Sequence, residues 1–162
     1  MPKLHQPSLY VGIDPGKSGG LAAMGPSWQA TADKMPSTER DAWQWFVDLP
    51  QGDVFACIER VGGYMPGSAG NIGSAMFSFG QNYGMLRAFL VASDIPFEEV
   101  SPRTWQKAVG ITPRKKEEGK PQFKNRIKSV AQRLFPSVKL TLATCDAILI
   151  AEYCRRKREG KL

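Results

Sequence analysis

The sequence is poor in the residues that build zinc sites. Its 162 residues include one histidine, His5, and three cysteines, Cys57, Cys145 and Cys154. The cysteines are odd in number and lack Cys-x-x-Cys spacing, so a zinc site is not expected and reduced thiols in a cytoplasmic protein fit better. No apolar run approaches the length of a membrane span, and the first seven residues lack the charged-then-apolar layout of a secretory signal. Internal repeats, low-complexity tracts and linker-like stretches are also missing. These absences leave one compact domain over residues 1–162, with flexible ends expected at 1–8 and 158–162. At 42% hydrophobic content the chain can build a real core.

What is present in excess is positive charge, +7 overall. It is unevenly spread. Residues 113–139 carry nine lysines and arginines against Glu117 and Glu118, and the stretch from Arg155 adds five more against Glu159. The part before Pro113 is close to neutral or slightly acidic. A basic C-terminal third favours a polyanion, above all nucleic acid, by counterion release. The plain alternative is a solvated surface that keeps the protein soluble.

Short apolar runs stopped by Pro-Gly or by turns predict strands over 9–14, 20–24, 28–34, 53–59 and 97–100. Helical spacing predicts helices over 41–49, 74–92, 102–109, 123–135 and 143–157. The helix over 74–92 holds Ala75, Gly80, Gly84 and Ala88, which suggest close packing against another backbone, and Phe77, Phe79, Met85, Leu86 and Phe89 as core surface. Residues 62–73 are a glycine-rich loop with Tyr64 and Met65 as large side chains, and 112–121 form a basic loop.

Two of the predicted strands end on acids, Asp14 in "LYVGID" and Glu59 in "DVFACIE". A third acid, Asp146, opens the apolar helix "DAILIAEY", sharing one side with Leu149, Ile150 and Tyr153. Asp146 could simply cap that helix, and strand-end acids could reach solvent or a turn amide. Together, three acids at the ends of apolar elements point to a metal site, because clustered carboxylates bind hard cations such as Mg²⁺ through oxygen. Metal-assisted phosphodiester cleavage and a basic DNA surface belong together.

Five stretches, "GIDPGKSGG", "IERVGG", "SAMFSFGQNYG", "SPRTWQKAVGI" and "CDAILIAEY", run in order from Leu9 to Tyr153. In them the chain resembles the RuvC-like Holliday junction resolvases of the RNase H-like superfamily, in their phage, bacterial or chloroplast forms. The resemblance implies an α/β, RNase H-like fold: a five-stranded mixed sheet flanked by helices on both faces, in a homodimer. It implies a crossover junction endodeoxyribonuclease acting on four-way or branched DNA in recombination or phage DNA processing, in a bacterial cytoplasm or a phage-infected host. It also implies two Mg²⁺ per site, with Mn²⁺ as a substitute.

Carried over by position, Asp14, Glu59 and Asp146 match the metal ligands, and Lys124 matches a basic residue near the scissile phosphate. Lys107 is a second candidate for DNA contact. Tyr64 falls in the loop that probes the junction centre. Arg114, Lys115, Lys116, Lys120, Lys124, Arg126 and Lys128 would grip phosphates, and the helix over 74–92 is the expected dimer seam.

One feature departs from the family. Thr141, Leu142 and Ala143 stand where relatives carry another acid before the last-helix carboxylate. Glu152 is six positions beyond Asp146, about 120° around the helix, and is poorly placed to replace it. A catalytically impaired junction-binding protein on the same fold is therefore the alternative. A phosphotransferase of the actin-like class is disfavoured, since the chain is too short for two duplicated lobes.

Overall fold

A computed structural model describes residues 7–26, 28–50, 52–60, 62 and 72–162. The chain runs through β1 (Leu9–Asp14), β2 (Gly20–Gly25), β3 (Trp28–Lys34), α1 (Glu39–Val47), β4 (Val54–Glu59), α2 (Ile72–Ala92), β5 (Phe97–Val100), α3 (Pro102–Ala108), α4 (Lys120–Leu134) and α5 (Cys145–Arg158). The strands form one mixed sheet in the order β3-β2-β1-β4-β5. β1, β2 and β3 make an antiparallel meander, while β4 and β5 join parallel to β1 and to each other. Short loops suit the meander, and the parallel additions arrive through helical crossovers.

The two-residue period of the strands sorts the core. Leu9, Val11 and Ile13 of β1 pack with Ala56 and Ile58 of β4 beneath Phe46 of α1 and Leu86 and Leu90 of α2. The alternate residues, Tyr10 of β1 and Cys57 of β4, face a second cluster with Trp105 of α3, Ile127 and Ala131 of α4, and α5. Helices thus cover both faces, as expected. Helix α5 is buried along nearly its whole length, from Cys145 to Cys154. It lies so close to β1 that a Cβ on Gly12 would sit 2.1 Å from the Ala147 carbonyl oxygen and 2.3 Å from the Ala151 nitrogen. Only glycine permits that approach.

Helix boundaries moved where caps decide them. Thr38 accepts a hydrogen bond from the Asp41 amide at 3.1 Å, so α1 starts earlier than its apolar spacing predicts. Ser101 caps α3, with Pro102 in its first turn. Cys57, Cys145 and Cys154 are all free and buried. Among the described residues no helix is long and apolar enough to cross a membrane.

The largest correction concerns α2. Phe77, expected in the core, is 68% exposed, and Val91 is 70% exposed. Among the described residues, a Cβ on Gly73, Gly80 or Gly84 would meet nothing within 4 Å. The small residues of α2 therefore do not serve packing against this chain's own sheet.

Candidate active site

Strand parity places the acids. Asp14 shares the face of Tyr10 and Gly12, and Glu59 shares the face of Cys57, so both carboxylates point toward the layer of α3, α4 and α5. β1 and β4 pair in parallel with Gly12 opposite Cys57 and Ile13 opposite Ile58. Continuing that register brings Asp14 beside Glu59 where both strands stop. Asp146 arrives from the first turn of α5 and is 8% exposed. Its carboxylate forms an ion pair with Lys124 of α4 instead of capping its own helix.

The electrostatics agree with this convergence. Burial, reinforced by the Asp146 charge, pushes the Asp14 carboxyl up to about 6, against the pull of Lys124 and a backbone hydrogen bond from Gly16. Burial and the neighbouring Asp14 push Glu59 up to about 7, with Asp146 adding to the rise. Lys124 loses hydration by burial, yet Asp146 and Asp14 hold its ammonium above the usual lysine value. This is a cluster with an excess of negative charge.

Glu59 has a partner that sequence reasoning missed. The indole Nε1–H of Trp105, a fully buried residue, donates to Glu59 Oε2 at 2.6 Å. The available signal was a lone tryptophan among polar residues in "SPRTWQK". That bond lowers the Glu59 pKa against the larger effect of burial. Trp105→Phe removes that donor and is expected to raise the Glu59 pKa further, shifting the pH profile of thermal stability to higher pH. An unmoved profile would remove Trp105 from the site.

Sequence and structure also meet at the missing acid. Thr141 and Thr144 form a local hydroxyl–amide network, with the Thr141 amide donating to Thr144 Oγ1 at 2.9 Å. Glu152 is buried and bonded to Arg155 and Arg156 at 2.6–2.9 Å, outside the cluster. Among the described residues, no three His, Cys, Asp or Glu side chains stand close enough together to hold a metal ion as they are. The donor chemistry nonetheless fits a hard divalent cation: two carboxylates whose pKa values are raised by burial first and by neighbouring acids second, and a third paired with a lysine.

The basic residues divide into groups. Lys120, Lys124 and Lys128 fall at four-residue steps on α4, so they share a face that leads outward from the acids. Lys107 sits on α3, and Arg114, Lys115 and Lys116 lie in the loop before α4. Arg126 differs from the role expected of it. Its guanidinium holds Glu118 through two bonds of 2.9 Å, and Thr112 and Pro113 at 3.0–3.3 Å. Arg126 thereby staples the basic loop to α4. Tyr64 lies outside the described residues.

This sheet order with helices on both faces is the RNase H-like α/β fold of RuvC. The chain is similar to T. thermophilus RuvC in complex with a Holliday junction substrate, with a TM-score of 0.62 and 12% identity, over 94% of this chain and 97% of that one. It is also similar to a second Thermus thermophilus RuvC structure, with a TM-score of 0.55 and 13% identity over the same shares. No family model matches the sequence, and no curated protein matches it. At such identity the likeness defines the fold.

Proposed function

We propose that this chain is a metal-dependent, structure-selective endonuclease that resolves four-way or branched DNA as a homodimer. The observation that carries the reading is the gathering of Asp14, Glu59 and Asp146 at one end of a RuvC-like sheet, beside a lysine-rich helix face. Asp14, Glu59 and Asp146 would hold Mg²⁺, which supplies activation of water and charge neutralisation at the phosphodiester. Trp105 fixes the Glu59 carboxylate. Lys124 balances Asp146 and stands where it can meet a phosphate, and Lys120 and Lys128 extend that cationic row over about 12 Å. Lys107, Arg114, Lys115 and Lys116 add phosphate contacts that position DNA without reading its sequence.

The test is nicking of a synthetic four-way junction against linear duplex of the same sequence, with Mg²⁺. Selective, paired nicking of the junction is expected. Equal cutting of linear duplex would sink the resolvase reading. The absence of an acid at positions 141–143 favours a second reading, a junction-binding protein with impaired catalysis. Tight junction binding without cleavage in either Mg²⁺ or Mn²⁺ would select it.

The dimer seam we assign to α2. Gly73, Phe77, Gly80, Gly84 and Val91 follow steps of three, four and seven along one helix face, and among the described residues nothing lies within 4 Å of a Cβ on its glycines while Phe77 and Val91 are exposed. Phe77→Asp is expected to convert a dimer to monomer in sedimentation experiments at micromolar protein. A wild-type chain that sediments as a monomer would remove this assignment.

A further inference from the structure

An open groove of about 890 Å³ lies between α3 and the loop leading to α4, and Asp14, Glu59 and Asp146 are not among its lining residues. Gly110, with a φ of +84° that favours glycine, turns the chain sharply out of α3 and opens it. The groove's apolar lining, the floor on which a planar ring could lie, is Pro102, Ile111, Pro113 and Phe123. Arg103, Lys107 and Arg114 stand on its rim, and no carboxylate lines it. The neutral hydrogen-bonding side chains of its lining are Gln106 and Thr112. Thr112 Oγ1 already accepts from Arg126, whereas the Gln106 amide carries no hydrogen bond among the described residues.

This combination is selective. A site for phosphate alone has no use for an apolar floor, and an apolar ligand has no use for three cations. A nucleotide uses both. The elements that form the groove also hold the acids: Trp105, next to Gln106 on α3, bonds Glu59, and Lys124, next to Phe123 on α4, pairs with Asp146. The loop wall is held in place by Arg126, whose guanidinium also lies 4.9 Å from the centre of the Phe123 ring.

We infer that this groove receives one unstacked nucleotide of the branched DNA, next to the cleaved phosphodiester. Its base lies on the apolar floor with an edge toward Gln106, and its flanking phosphates meet Arg103, Lys107 and Arg114. The inference rests on the nuclease reading and deepens it. The groove makes cleavage depend on base identity at one position, because an amide distinguishes base edges by donor and acceptor pattern.

The experiment uses the whole chain and four-way junctions carrying 2-aminopurine at successive positions around the branch, in metal-free buffer. A several-fold fluorescence rise is expected at one position in the bound junction, and its loss is expected in Gln106→Trp, whose indole fills the groove. In Mg²⁺, rates across the four bases at that position should differ by about 5- to 100-fold, the discrimination of a good amide–base contact. Gln106→Ala should collapse that ratio toward one, with thermal melting read alongside to verify the fold. A junction that binds and is nicked without any fluorescence rise overturns the nucleotide site and leaves the nuclease reading standing. A rise that persists in Gln106→Trp, or a base preference that survives Gln106→Ala, also overturns it. Failure to bind the junction at all overturns both.

Discussion

Asp14→Asn should leave junction binding in place and slow nicking by about a thousandfold or more, the loss expected when one principal electrostatic element of a transition state is removed. The same substitution should stabilise the metal-free protein. Asp14 is held up to about 6 by burial and by Asp146, and it raises Glu59 in turn. Asparagine keeps the shape and can still accept the Gly16 amide, but removes the repulsion. Retained nicking in the variant would refute the assignment of Asp14.

The pH dependence of stability follows from the same shifts. A carboxyl whose pKa is higher in the folded than in the unfolded chain binds its proton more tightly when folded. Its contribution is present below the unfolded value, near 4, and is lost as pH rises through about 6 for Asp14 and about 7 for Glu59. In EDTA, this pair should cost on the order of 3 kcal/mol between pH 4 and 8, after allowance for their coupling. Glu152 works in the opposite direction, because Arg155 and Arg156 hold its carboxyl below the usual range despite burial. Comparing wild type with Asp14→Asn isolates the cluster. Saturating Mg²⁺ should flatten the difference, and melting curves equally steep in pH with and without Mg²⁺ would contradict cation binding by these acids.

Gly12→Ala should be strongly destabilising. The new Cβ would lie 2.1 Å from one backbone atom of α5 and 2.3 Å from another, so the helix itself must shift. Overpacking against backbone costs about 3 kcal/mol, or roughly 6–12 °C in melting temperature for a chain of this size. Because α5 carries Asp146, the shift also draws that carboxylate away from Asp14 and Glu59. Nicking should therefore fall even below the melting transition. A fall in melting temperature of under about 2 °C would show that α5 accommodates the methyl at little cost.

Much of this protein was legible locally. Alternation in "LYVGID" and "VFACIE" defines strands with acids at their ends, and the run from Ala147 to Cys154 defines a buried helix. These signals depend on neighbours two to four residues apart, which a sequence states directly. The glycines of α2 were ambiguous for the same reason. Their spacing indicates a close approach to something, but only the fold shows that among the described residues nothing approaches them.

By itself, then, the sequence determined the strand and helix pattern, the basic C-terminal third, and three acids at the ends of apolar elements. The tertiary structure decided which of those residues meet. Asp14 and Glu59 become neighbours through parallel pairing across 45 positions, and Asp146 reaches them because Gly12 lets α5 lie on β1. It also gave Glu59 a tryptophan, Asp146 a lysine, and Arg126 to the loop instead of leaving it outward. The reason is physical: period and propensity act over a single turn or pleat, whereas these contacts depend on the order in which strands pair and helices cross. No local pattern records that order.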